Sequence, residues 1–169
     1  SLAAASLGDA CRHEPAEFPD SAAFGLRLAT EWSDALRTQR SIGVIVVDLD
    51  GFSRFNELYG RALGDRVLQA IAGELPQAIR SVDFCGRLQG DEFAIILPRV
   101  DRLMVAQACV KLRKLVETCS LQVDSGSPLT ASIGAVLVSR ARPPLNAQSV
   151  LDAALAQANA SRAKGGNQC

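Results

Sequence analysis

The apolar positions of this chain fall into two periods, and their alternation outlines the elements. Phe24, Leu28, Trp32 and Leu36 recur every fourth residue and predict a helix over Ala22–Arg40. Ile42–Leu49 (IGVIVVDL) is a continuous apolar run rich in Val and Ile, the pattern of a buried central strand. Phe52–Tyr59 reads as a short helix. Gly64–Ile79 reads as an amphipathic one, with Val67, Leu68, Ile71, Leu75 and Ile79 on one side. Val82–Leu88 and Phe93–Leu97 are strands at hairpin spacing, joined by Gln89-Gly90-Asp91-Glu92. Asp101–Cys119 carries Val105, Cys109, Leu112, Val116 and Cys119 at helical spacing, and Leu129–Ser139 reads as a further strand. Pro143-Pro144 breaks the chain before an Ala-rich helix over Ser149–Lys164, which Gly165-Gly166 ends. A hairpin set among alternating helices and strands predicts an α/β (α+β) sandwich with a mixed, partly antiparallel central sheet rather than a doubly wound fold.

The bulk numbers narrow the function classes. The 169 residues suit one domain with a real core, and 48% hydrophobic with 21% charged is an ordinary globular mixture. Residues 1–20, broken by Pro15 and Pro19, read as an opening segment, and 21–169 as a single domain without repeats or linker. Eighteen basic and eighteen acidic residues balance, and no basic stripe marks a nucleic-acid partner. No apolar run approaches the roughly 20 residues of a membrane span, so no membrane contact is expected. Ser1–Ala10 lacks the basic-then-apolar order of a signal peptide. Cys11, Cys85, Cys109, Cys119 and Cys169 form no CxxC pair and are odd in number, which fits a reduced, cytoplasmic setting. The sole histidine, His13, reads as plain surface.

Candidate chemistry gathers where the apolar runs stop. Asp48 and Asp50 close the central strand and are expected to point to opposite faces. A carboxylate there, beside the Leu49 carbonyl, makes a hard-cation site; a strand end meeting solvent carries the same residues. The hairpin adds Asp91 and Glu92 after Gly90, whose missing side chain lets a ligand approach the backbone; a solvated polar turn reads the same way. If the two strands are neighbours, Asp48 and Asp91 face each other across the sheet end and repel unless a divalent cation lies between them. Asn56 and Asp65 offer an amide and a carboxylate suited to the edge of guanine, although an acid behind Gly64 also complements a helix dipole. Arg80 and Asp83 place a guanidinium and a carboxylate on one short segment, either a phosphate or base-edge reader or a structural salt bridge.

Taken in order, these pieces resemble the GGDEF family of diguanylate cyclase domains over most of the chain. The runs are Asp48-Leu49-Asp50-Gly51-Phe52-Ser53-Arg54-Phe55-Asn56, Tyr59-Gly60-Arg61-Ala62-Leu63-Gly64-Asp65-Arg66-Val67-Leu68, Arg87-Leu88-Gln89-Gly90-Asp91-Glu92-Phe93, Ser132-Ile133-Gly134 and Gly165-Gly166-Asn167. The resemblance implies a nucleotidyl-cyclase-like fold that condenses two GTP into cyclic di-GMP and pyrophosphate. It implies that Asp48, the Leu49 carbonyl and Asp91 hold magnesium (or manganese), with Asp48, Asp91 and Glu92 catalytic. Asn56, Asp65, Phe52, Gly90 and Arg162 would bind substrate, and Arg80 with Asp83 would form an inhibitory product site. It further implies a homodimer of two such domains meeting face to face, and an attached sensor or EAL-type phosphodiesterase domain in a longer cytoplasmic signalling protein.

The chain departs from the family pattern at several positions. Ser53 stands for a phosphate-contacting Lys, Gly166 for a phosphate-binding Arg, and Gln89 for the first glycine of the signature, while Arg162 keeps the charge of a Lys. The family's opening motif is not readable near His13–Asp20. Two lost cations on a triphosphate, at about 1.5–3 kcal/mol each, keep a second reading open: a weakened domain that binds GTP or cyclic di-GMP and regulates an attached one.

Overall fold

The computed structural model describes residues 17–123, 126, 128–139 and 146–169. His13, Cys11, Pro15 and the Pro143-Pro144 break lie outside the described residues. Helix α1 (Ser21–Thr38) starts where the Asp20 carboxylate accepts the backbone N–H of Ala23 at 2.9 Å, a side-chain cap for an otherwise orphaned donor. Its Phe24, Leu28 and Trp32 are buried, but Leu36 is 48% exposed. Each fourth-residue step drifts about 40° around a helix, so by the third step the stripe has left the core face.

Strand β1 (Ile42–Leu49) is buried along its whole length, as its unbroken apolar run requires. It lies in the interior of a four-stranded sheet with β2 (Phe84–Gln89), β3 (Glu92–Pro98) and β4 (Ala131–Val138), in the order β2-β3-β1-β4. All three pairings are antiparallel. Ile45, Val47 and Leu49 face a core built with α2 (Phe52–Tyr59), α3 (Arg61–Ala78) and α4 (Arg102–Val123). Ile42, Val44 and Val46 face a second core built with α1 and α5 (Ala147–Ala163). The sheet is therefore the middle of three layers, and side chains alternate between two dry interiors. No helix among the described residues is long and apolar enough to cross a membrane.

Most boundaries differ from the pattern-based expectation by a few residues, and three of the starts have a local reason. Helix α3 begins at Arg61, not Gly64, because Gly60 (φ 90°) alone separates it from α2. Strand β2 begins at Phe84 because the Asp83 N–H closes a turn onto the Arg80 carbonyl at 3.0 Å. Asp101 stands before α4, its carboxylate accepting the N–H of Met104 at 2.8 Å. Gly134 explains how closely α5 lies on β4: a Cβ there would sit 1.9 Å from the Ala154 carbonyl oxygen. Burying Phe24 completely stabilises the α1 side by about 1.5–3 kcal/mol.

Candidate functional site

The sheet ends in a cluster of carboxylates at the C-terminal end of β1. Asp48 is 1% exposed although charged, because the central strand carries it between two layers. Neither of its oxygens has a hydrogen bond of ordinary geometry: Oδ2 forms an ion pair with Arg162 from the last turn of α5, and Oδ1 has no partner. A buried carboxylate oxygen without a donor is costly, so this atom is poised for a cation or a donor from outside.

The register decides which acidic residue of the hairpin stands where. Asp48 is paired with Glu92, and the Leu49 N–H donates to the Asp91 carbonyl at 3.3 Å. Asp91 thus stands beside Leu49, and Glu92 rather than Asp91 lies directly across from Asp48. Gly90 at the tip has φ +49°, with open space where a Cβ would be. The Arg87 guanidinium donates to the Gly90 carbonyl at 2.7 Å and braces the turn, next to a register shift between Arg87 and Gln89. Burial raises the Asp91 carboxyl above its ordinary value, partly offset by its own backbone hydrogen bond and by Arg87.

Asp50 does not share the role of Asp48, and it is not on the opposite face. Residues two apart on a strand share a face. Its Oδ1 accepts from Ser132 Oγ at 2.6 Å, and its Oδ2 accepts from Thr130 Oγ1 at 2.7 Å and from the Asn167 N–H at 2.8 Å. Asp50 therefore ties the start of β4 and the segment after α5 to the end of β1. Thr130 and Ser132 had no chemical role in the sequence reading; the i, i+2 spacing of the two aspartates was the signal for a shared side.

Among the described residues no three acidic, histidine or cysteine side chains converge into a self-sufficient metal cage. Magnesium does not need one, since it commonly takes one or two carboxylates and completes its shell with water and phosphate oxygens. The unpartnered Asp48 Oδ1, with Leu49 and Asp91 adjacent, fits such a half-open site.

Asn56 and Asp65 are brought together through Gly64. The Asn56 carboxamide rests on that glycine, and its Oδ1 is buried without a partner. Asp65 is the fifth residue of α3, not a helix-start acid, and is exposed. It lines a cleft of about 630 Å³ with Phe18, Leu68, Arg87 and Gln89. Phe52 stacks on Phe55, with ring centroids 6.4 Å apart and planes 9° apart. Phe18, packed edge-on to Phe93 at 5.9 Å, belongs to this wall and was not singled out from the sequence.

Arg80 and Asp83 are closed on each other. Arg80 Nε donates to Asp83 Oδ1 at 3.0 Å and Nη2 to the same oxygen at 2.6 Å, while Nη2 also reaches the Pro98 carbonyl at 2.9 Å. The Asp83 side chain is 2% exposed and that of Arg80 39%. The pair stands at the opposite end of β2 from the hairpin tip, about 20 Å away by strand rise. Beside it a pocket of about 210 Å³ opens, lined by Ile79, Leu97, Met104 and Lys111.

A family model described as "Diguanylate cyclase, GGDEF domain" matches residues 16–168. The chain is 34% identical over 117 residues to the diguanylate cyclase DgcP of Pseudomonas aeruginosa, covering 69% of this chain and 17% of that protein. It is 30% identical over 109 residues to the diguanylate cyclase DosC of Escherichia coli, covering 63% of this chain and 24% of that protein. It thus spans about a fifth of the length of these relatives. Among solved structures, the GGDEF domain of DgcB from Caulobacter crescentus, in complex with c-di-GMP, superposes with a TM-score of 0.80 at 27% identity, covering 89% of each chain. The diguanylate cyclase SiaD of P. aeruginosa, in complex with its activator SiaC, gives 0.81 at 28%, covering 90% of this chain and 58% of that one.

Proposed function

The chain belongs to the GGDEF, or diguanylate cyclase, family, and from that premise we propose that it condenses two GTP molecules into cyclic di-GMP and pyrophosphate. The observation that carries the reading is Asp48: a carboxylate 1% exposed whose Oδ1 lacks any partner, at the end of the central strand and beside the hairpin of Asp91 and Glu92. Asp48, the Leu49 carbonyl and Asp91 would hold magnesium, or manganese in its place. When bound, the metal supplies positive charge to the phosphates of GTP.

The remaining work falls to the side chains of this domain. Asn56 Oδ1 and the Asp65 carboxylate are acceptors, and guanine presents N–H donors along one edge, so this pair selects guanine. Phe52, fixed against Phe55, supports an apolar wall there. Gly90 leaves the hairpin tip open for the second nucleotide, carried by a second copy of the domain. Positioning one nucleotide's 3′-hydroxyl against the other's α-phosphate, in a site of fixed charge, is the main catalytic contribution. Cyclic di-GMP returns to Arg80 and Asp83 as an inhibitor. An attached sensor or EAL-type domain fits a chain that spans so little of its relatives' length.

Two observations favour the second reading, a regulatory receptor for GTP or cyclic di-GMP with little turnover. Arg162 is already engaged with Asp48. Gly166, where the family carries an Arg, has φ +73° and a Cβ there would meet the Asp50 carboxylate at 2.9 Å, so the lost cation cannot be restored without moving the segment. The deciding experiment incubates the concentrated protein with GTP and magnesium and separates the products by chromatography. Cyclic di-GMP supports the cyclase. No product, with GTP or cyclic di-GMP still binding by calorimetry, replaces it with the receptor.

A further inference from the structure

The segment after α5 crosses an open edge of the sheet and ends on a second cysteine. Asn167 is held twice, its N–H on Asp50 and its Oδ1 by Arg113 Nη2 of α4 at 3.0 Å. The Gln168 carbonyl then accepts the N–H of Ile133 at 2.8 Å, along the free edge of β4. These bonds carry the chain from the α5 layer to the α4 layer. There the Cys169 side chain enters a cleft that the Cys109 thiol of α4 also lines. Cys109 is 2% exposed and Cys169 is exposed, and both line this cleft of about 430 Å³ with Arg102 and Ser139 at its rim. The cleft thus holds two thiols, one buried and one open to small solutes.

We propose that Cys169 is a site of oxidation by hydroperoxides, with Cys109 as the resolving thiol, and that the resulting disulfide staples the C-terminal segment across the β4 edge. The Cys169 thiolate attacks one peroxide oxygen and becomes a sulfenic acid, while the other oxygen leaves as water or an alcohol after taking a proton. The Cys109 thiol then attacks the Cys169 sulfur, the S–S bond forms, and the sulfenic oxygen leaves as water. One peroxide is reduced by two electrons and two thiols become one disulfide. The neighbouring Cys109 thiol and then Arg113 favour the Cys169 thiolate, which is lowered to about 7 against the opposing effect of burial. Burial pushes Cys85 up to about 11 and raises Cys119, so these thiols compete poorly. This inference does not depend on cyclase activity.

The test treats the 169-residue protein with hydrogen peroxide and maps its peptides without reduction. A Cys109–Cys169 linked peptide is expected, formed at least about tenfold faster than any oxidation at Cys85 or Cys119, as their thiolate fractions require. Dithiothreitol should reverse it. In Cys109→Ser the Cys169 sulfenic acid should persist and be trapped by dimedone. In Cys169→Ser no bridge to Cys109 should form. If the buried substitution prevents folding, the wild-type map and Cys169→Ser decide. Hydrogen exchange at the Asn167 and Ile133 amides should slow by about tenfold or more in the bridged protein. A bridge from Cys169 to Cys11, over-oxidation of Cys169 with Cys109 still reduced, or equal reactivity of Cys169 and Cys85 would each overturn the proposal.

Discussion

The carboxamide of Asn56 lies on Gly64, so closely that a Cβ at that glycine would sit 1.8 Å from Asn56 Oδ1. A glycine inside α3 costs helix stability, about 0.8–1 kcal/mol relative to alanine, and this contact is the return. Gly64→Ala should therefore displace Asn56 and weaken GTP binding about tenfold or more, the size of one lost hydrogen bond to a charged or well-ordered partner. Calorimetry with GTP on Gly64→Ala and Asn56→Ala checks it. Unchanged affinity in both variants would remove Asn56 from the guanine site.

The Asp48–Arg162 ion pair gives a second expectation. Removing one partner of a fully buried pair costs about 3–5 kcal/mol. The Arg162 side chain is 47% exposed, so solvent screens part of that and Arg162→Ala should cost about 1–2 kcal/mol. Without Arg162, a divalent cation has Asp48 to itself. Thermal unfolding with and without magnesium should show a larger stabilisation in Arg162→Ala than in the wild type. An equal or smaller shift would speak against Asp48 as a magnesium ligand.

Asp91 links the site to pH. Its folded pKa is raised above 3.8 by burial, so the folded state binds the proton more tightly than the unfolded chain. The stability this group contributes is fully present below 3.8 and is lost as pH rises through the raised folded value. Urea unfolding across the acidic range should show Asp91→Asn gaining on the wild type as pH rises, then levelling off towards neutrality. Parallel curves would mean that Asp91 is solvated like any surface acid. Product formation should fall with acid over the same window, since a protonated Asp91 cannot bind a cation.

Arg80→Ala should abolish strong cyclic di-GMP binding while leaving magnesium-dependent GTP binding intact, because the pair stands at the far end of β2. The variant also leaves the Asp83 carboxylate, 2% exposed, without its guanidinium donor and with only the residue-80 backbone N–H, a loss of about 1–3 kcal/mol. Calorimetry should therefore be run well below the melting temperature of the variant. Equal cyclic di-GMP affinity in Arg80→Ala and wild type would reduce the pair to a structural salt bridge.

The element order was legible because each element carries its own period. β1 reads from Ile42 to Leu49 without an interruption, and α2 from Phe52 to Tyr59 matches residue for residue. What failed were statements about one residue's surroundings. Leu36 continued a fourfold repeat but rotated out of the core. Asp65 looked like a helix-start acid because the three residues before Gly64 carry no strong helix-start signal. Val82 and Asp83 looked like the beginning of a strand, but Asp83 closes a turn onto Arg80 instead.

Local patterning by itself determined the layers, the hairpin and the chemical types at the sheet end, since hydrophobic periodicity and turn residues act over a few positions. Tertiary structure decided who meets whom. Strand register sets Glu92 rather than Asp91 opposite Asp48, and a single-residue slip would exchange them. The packing of α5 on Gly134 carries Arg162 to Asp48, 114 positions away in the chain. The sheet edge brings Cys169 to the cleft that Cys109 lines. Such meetings depend on the sum of distant packing contacts, so no window of sequence contains them.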